Sequence, residues 1–230
     1  VLSCTTYHPP PQQLYLLISS KQERIMAPKL TLVYFDIAGA AEPVRWALEQ
    51  GGVEWEDKRL SREEFGALKP SLPNGQVPVL EVDGVAIPQS LAIMRYAGKL
   101  GGLYPADDLE AAKCDAILDC STDFMMNVRP SFMEKDEAKK MEMRKDLAAN
   151  FLPTWLGNME KQLASTGGPY FAEKMTVADI MVAYRVNALK TGVLDGIPTT
   201  ITDACPNITA LHAAIMAEPK IAAFVAKHAK

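Results

Sequence analysis

The rhythm of hydrophobic and polar positions changes once along this chain, near residue 105. Before that point it alternates between short strand-like runs and helical spacing. Residues 30–35, "LTLVYF", are rich in β-branched and aromatic side chains and predict a strand. "DIAGAAEPVRWALEQGG" follows, with Val44, Ala47 and Leu48 on one helical face. Pro43 suits a first helical turn, and Gly51-Gly52 supplies a stop. "VEWEDKRL", residues 53–60, predicts a second strand. "SREEFGAL" opens with Ser61 and Glu64 at capping-box spacing and predicts a short helix. Two further strands, 76–82 and 85–87, flank Asp83-Gly84, a dipeptide suited to a tight hairpin. Ser90 is then expected to cap a helix through "LAIMRYAGKL", ended by Gly101-Gly102. The order is β-α-β-α-β-β-α.

After "YPADDLE" the period is helical almost throughout. Ile117, Phe124 and Val128 fall on one face of a long helix that Pro130 is expected to interrupt. Leu147, Phe151, Trp155, Met159 and Leu163 step by four, with Pro153 as a kink. Thr176 precedes "VADIMVAYRVNAL", with Asp179 at the reciprocal capping position. Ile208, Leu211 and Ile215, then Ile221, Phe224 and Val225, predict short closing helices. The fold class expected is α+β: a small α/β domain over 26–104, a short linker, and an all-helical domain over 109–230. Residues 1–25, with a proline run and no lasting periodicity, read as a leader or disordered extension before Met26.

Composition narrows the partners. Of 230 residues, 48% are hydrophobic and 23% charged, an ordinary globular balance. A net charge of −4 gives no global attraction to nucleic acid or anionic membrane, and no apolar run is long enough to cross a bilayer. Neither partner is expected. Cys4, Cys114, Cys120 and Cys205 form no CxxC motif and no ligand cluster, so a reducing, cytoplasmic setting without a metal is expected. His8 and His228 lie near the termini and His212 sits in a helical pattern, which disfavours a histidine-centred triad.

Pro78 stands out in "GQVPVLEVDG", because proline cannot donate to a sheet ladder. It marks either a bare edge strand or a place where something else pairs with the backbone. Together, "LTLVYFDIAGAAEPVRWAL" and "GQVPVLEVDG…QSLAIMRYAGKLGGLYP" resemble the cytosolic glutathione transferases across 28–229, and the sigma class most of all. The resemblance implies a thioredoxin-like N-terminal domain, a helical domain behind it, a homodimer, and glutathione as co-substrate. It implies a cis bond before Pro78 that leaves the Val77 backbone to pair with glutathione, strand to strand. It implies that Gln89 and Ser90 hold the γ-glutamyl end, that Gln76 also binds glutathione, and that Lys69 meets the glycine carboxylate. Phe65 falls where many sigma enzymes carry Trp, so an indole donor is absent there. Asp123 matches an acidic residue that reaches the γ-glutamyl amine from the partner subunit; by itself it reads as a surface charge. Ile37, Ala38, Ala40, Met125, Met126 and Arg129 are the candidates for a pocket that takes a small hydrophobic electrophile.

The implied chemistry centres on Tyr34, which in isolation reads as a core or rim aromatic. A free thiol titrates near ~8.5, so only a few per cent is thiolate at neutral pH. Lowering that by ~2 units requires ~2.7 kcal/mol in favour of the anion. One or two hydrogen bonds to the charged sulfur, at ~1.5–3 kcal/mol each, are enough. A tyrosine hydroxyl is such a donor. "DIAGAAEP" holds neither Ser nor Cys, which disfavours a protein thiol as the reactive group. Sigma relatives carry an arginine after the glycine of this loop; here Ala40 stands there, and a weaker lowering of the thiol pKa is expected. The activity implied is conjugation of glutathione to small hydrophobic electrophiles. The alternatives are a glutathione-dependent prostaglandin-type isomerase and a non-catalytic, crystallin-like ligand binder.

Overall fold

A computed structural model describes residues 27–228. The expected N-terminal extension, with Cys4 and His8, lies outside the described residues.

The first half is a four-stranded sheet in the order β2-β1-β3-β4. β1 (Leu30–Phe35) is central, pairing in parallel with β2 (Glu56–Leu60) and antiparallel with β3 (Val79–Val82), which pairs antiparallel with β4 (Val85–Pro88). The near-continuous apolar run of β1 is what a central strand needs, since helices cover its surroundings. Three helices pack around the sheet: α1 (Glu42–Gly51), α2 (Arg62–Leu68) and α3 (Ser90–Leu100). The expected order β-α-β-α-β-β-α is the observed one.

Boundaries move for local reasons. Residues 36–41 are a loop with one 3₁₀ turn, Gly39–Ala41, before α1 starts with Pro43 in its first turn. β2 starts three residues later than expected, because the Val53 N–H is used by the Leu48 carbonyl (3.1 Å) to finish the turn after α1. β3 begins at Val79, just past Pro78, whose nitrogen has no hydrogen to offer. Asp83 (φ 49°) and Gly84 (φ 84°) make the hairpin turn, both left-handed as the tight hairpin requires.

The second half is helical: α4 (Asp108–Met133), α5 (Glu137–Asp146), α6 (Leu152–Thr166), α7 (Val177–Lys190), α8 (Pro206–Ala217) and α9 (Pro219–His228). Pro130 does not interrupt α4, which runs on to Met133. Only the last turn lies beyond the proline, and its end is closed by Glu134 N–H donating to the Pro130 carbonyl (3.1 Å). Ahead of Pro153 lies a π-helical segment, Leu147–Phe151. Four residues overshoot a full α-helical turn by about 40°. The wider π turn offsets part of that drift and keeps the step-by-four stripe on the core side, with Leu147, Trp155, Met159 and Leu163 buried. α7 carries the expected capping box: Thr176 N–H donates to Asp179 Oδ2 (2.7 Å). One hydrophobic core runs from Leu32 and Leu80 through Trp46 to Ile180 and Leu211, so α7 and α1 weld the two halves.

Candidate functional site

Strand register gathers the expected residues at one edge of the sheet. Val33 pairs with Val79, and Val79 pairs with Pro88. Tyr34, Pro78 and Gln89 are each one residue beyond those pairs at the same end, with Val77 and Ser90 one step further. Phe35 pairs with Leu60 at that end too, so α2 starts there. The Phe65 ring of α2 packs edge-on to Phe35 (5.0 Å between centroids), and Phe35 packs edge-on to Tyr34 (5.6 Å). The Lys69 stem runs beside Gly75: a carbon added at Gly75 would sit 3.6 Å from Lys69 Cγ and Cε. Lys69 therefore flanks Gln76, which is exposed and extended. The Val77–Pro78 peptide is cis, as the resemblance implies. Val77 lies beyond the last ladder pair.

Ser90 is not the N-cap of α3. It is the first helical residue, and Gln89 occupies the cap position with φ 74° and ψ 111° and no capping side chain. A left-handed φ on a glutamine costs about 1–3 kcal/mol and persists only where its surroundings enforce it. Ser90 is left half-buried at a helix N-terminus, where backbone N–H groups favour an anion.

Tyr34 is buried, 8% exposed, and its hydroxyl oxygen accepts the Ala40 N–H at 3.1 Å. Ala40 thus acts through its main chain, while its missing cationic side chain was what the sequence drew attention to. A phenol has two lone pairs and one proton. The Ala40 bond uses a lone pair and leaves the proton free to donate outward. The loop is held in three ways. Gly39 (φ 49°) has no side chain, and a carbon there would lie 2.6 Å from the Tyr34 hydroxyl. The Gly39 carbonyl accepts a hydrogen bond from Tyr184 of α7 (2.8 Å). Arg45, fully buried, donates to the Ile37 carbonyl (2.9 Å) and pairs with Glu42 (3.0 Å) and Asp57 (3.2 Å). Its guanidinium lies 5.8 Å from the Tyr34 ring centroid. Burial pushes the Tyr184 hydroxyl up to about 12, which keeps it a donor.

The remaining candidates divide. Ile37 (57% exposed) and Ala38 line the outer side of the loop, and Ala40 its inner side. On α4, Met125 and Arg129 share a face, being four residues apart. Met126 is turned about 100° from Met125 and is 68% exposed, on the side that also bears Asp123. Asp123 opens on a separate groove of about 420 Å³ between α4 and α6, lined by Cys120, Phe151, Trp155 and Asn158. Asp123 is not among the residues that the strand register gathers at the Tyr34 edge. A second groove, about 570 Å³ between Trp55, Asp57, Lys220 and Phe224, is also separate from that edge. Among the described residues no group of His, Cys, Asp or Glu is arranged to hold a metal, and no single helix is long and apolar enough to cross a membrane.

Sequence reading missed Gly39 and Tyr184 as parts of the candidate site. Gly39 carried a signal, a glycine in the turn straight after a strand. Tyr184 carried none, because its role depends on helix packing across a separation of 145 residues.

The fold and the tyrosine at this edge define the class: a thioredoxin-like domain joined to a helical domain, with a hydroxyl poised at the end of the first strand. Family models agree. "Glutathione S-transferase, N-terminal domain" matches residues 30–99, and "Glutathione S-transferase, C-terminal domain" matches residues 122–228. The hematopoietic prostaglandin D synthase of Gallus gallus is 34% identical over 88% of this chain and 98% of its own length. Glutathione S-transferase 1 of Ascaris suum is 42% identical over 67% of this chain and 77% of its own. The crystal structure of the glutathione S-transferase from Ascaris lumbricoides is similar with a TM-score of 0.79, at 34% identity, over 88% of this chain and 98% of that one. The chain belongs to the glutathione transferase family.

Proposed function

We propose that this protein binds glutathione along the Tyr34 edge and transfers its thiolate to small hydrophobic electrophiles. The reading rests above all on the Tyr34 hydroxyl, whose oxygen accepts the Ala40 N–H at 3.1 Å and whose proton is free for the sulfur. The Val77 backbone would pair with the cysteinyl unit. Gln89 and Ser90 would take the γ-glutamyl end, Gln76 would also bind glutathione, and Lys69 would take the glycine carboxylate. Phe65 would pack without donating. Tyr34 then holds the sulfur as thiolate, the sulfur bonds to the electrophilic carbon, and the leaving group departs with its electron pair. No covalent protein intermediate is needed.

The finer assignments are part of the same proposal. The enzyme is sigma-like, cytoplasmic and homodimeric. Asp123, exposed on α4, reaches the γ-glutamyl amine of the partner subunit's glutathione. Ile37, Ala38, Ala40, Met125 and Arg129 border the electrophile pocket; Met126, on the Asp123 side of α4, is its weakest candidate. Likeness to a prostaglandin D synthase supports a second reading, isomerisation of a lipid endoperoxide with glutathione.

Retention on immobilised glutathione, followed by conjugation of 1-chloro-2,4-dinitrobenzene, tests the main reading. Retention with turnover is expected. Retention without turnover, together with conversion of a prostaglandin endoperoxide, would favour the second reading. No retention would remove both.

A further inference from the structure

Arg185 of α7 is a half-buried cation that no carboxylate pairs with among the described residues. Its guanidinium lies between two aromatic faces, 5.6 Å from the Phe124 centroid and 5.5 Å from that of Tyr184. Nε donates to Ser121 Oγ at 2.8 Å, which fixes the plane of the group. Among the described residues this is its only hydrogen bond, and no carboxylate pairs with it. Desolvation pulls it down to about 10, and Tyr184 is the only group that opposes this. Arg45 and Arg144, which are buried, contrast with it. Arg45 has Glu42 and Asp57, and Arg144 has Asp195 (2.7 Å) and Ser131 (2.6 Å). A guanidinium held between two rings with one hydrogen bond keeps N–H donors to spare for an incoming acceptor.

Its position suggests the missing partner. Tyr184 supplies its ring face to Arg185 and its hydroxyl to the Gly39 carbonyl. One aromatic ring therefore separates the guanidinium from the loop that seats Tyr34. The two terminal nitrogens are not among the buried atoms that lack partners, so they still meet solvent on this half-buried residue. Two planar N–H donors fixed by stacking and by Ser121 match a carboxylate in bidentate fashion. Ser121 and Phe124 stand on α4 four and one residues before Met125, and Tyr184 reaches the loop, so Arg185 lies where α4 and the loop approach each other.

We infer that Arg185 is an anion-reading subsite of the electrophile pocket, selecting electrophiles that carry a carboxylate or similar oxyanion away from the reacting carbon. This rests on the reading of the Tyr34 edge as a glutathione-transfer site. The reaction itself is unchanged: a C–S bond forms, the bond to the leaving group breaks, and no electrons are exchanged with another species. Arg185 touches only the remote anion, so it determines specificity.

Two measurements decide it. The first is calorimetry with unreactive probes at saturating glutathione, comparing 4-phenylbutyrate with 4-phenylbutyramide. The wild type should bind the acid at least tenfold more tightly; Arg185→Leu should erase the difference, and Arg185→Lys should keep part of it. Equal affinities in the wild type, or a tenfold preference that survives in Arg185→Leu, would overturn the subsite. Should Arg185→Leu fail to fold, the wild-type comparison and Arg185→Lys still decide. The second is the ratio of kcat/KM for 4-chloro-3,5-dinitrobenzoate and its methyl ester, in which the thiolate displaces chloride. That ratio should fall at least tenfold in Arg185→Leu, chiefly through KM. Turnover of both compounds with an unchanged ratio would reject the subsite and leave the transferase reading standing. Preferential binding of the acid without turnover of either compound would reject the transferase reading and leave the subsite standing.

Discussion

Two arginines flank the loop that seats Tyr34, and the protein treats them in opposite ways. Arg45, on the sheet side, is spent in full on two carboxylates and the loop carbonyls. Arg185, on the helical side, has one hydroxyl and two ring faces. Both sit against a tyrosine of the site. A cation whose donors are all used holds structure together, whereas one with donors to spare is available to a ligand. On the reading proposed above, the sheet side is the rigid half of the site and the helical side the selective half.

The largest effect should come from breaking the rigid half. Arg45→Leu would leave Glu42, Asp57 and the Ile37 carbonyl without their donor. Removing one partner of a buried ion pair costs about 3–5 kcal/mol. A urea unfolding midpoint shifted by that amount is expected, with conjugation falling along with the fold. A stability change under 1 kcal/mol would mean that Arg45 is not the loop's anchor.

Gly39→Ala should be smaller and more local. Its added carbon would lie 2.6 Å from the Tyr34 hydroxyl, at a φ of +49° that a side chain disfavours. A stability loss of about 1–3 kcal/mol is expected, with kcat reduced more than glutathione affinity. Unchanged kcat would show that the hydroxyl tolerates displacement.

The smallest effect sharpens the contrast on α7 itself. His212 contacts Asn187, two residues beyond Arg185, and also lacks a carboxylate. Unlike arginine it can shed its charge, and burial with nearby Lys190 lowers its pKa below 6.5. The folded state then binds fewer protons than the unfolded state in the window below pH 6.5. Its contribution to stability is full above that value and is lost as pH falls toward the depressed folded-state pKa. His212→Gln should flatten the slope of unfolding free energy against pH just below pH 6.5. A slope identical to wild type would show that His212 does not titrate differently on folding.

Much of the fold was legible in the residues. The hairpin at Asp83-Gly84 and both capping boxes came from local chemistry, and the structure uses each of them. α5 was not foreseen, because "EAKKMEMRKD" has no apolar stripe; only Arg144 is buried, through Asp195 and Ser131. Ser90 looked like a cap by residue type, but Gln89 takes that position with a backbone conformation that sequence does not encode locally. The site was legible where strand register set it, at Tyr34, Pro78 and Gln89. It was illegible where distant helices completed it, at Tyr184 and Arg185, since neither carries a motif.

The central claim is that the Tyr34 hydroxyl stabilises a glutathione thiolate. The most direct measurement is thiolate absorbance of the bound glutathione against pH, in the wild type and in Tyr34→Phe. Losing a hydrogen bond to a charged group, ~1.5–3 kcal/mol, should raise the bound thiol's pKa by ~1–2 units, while glutathione affinity stays within a few-fold. The same pKa in both proteins would contradict the account and remove Tyr34 from the chemistry.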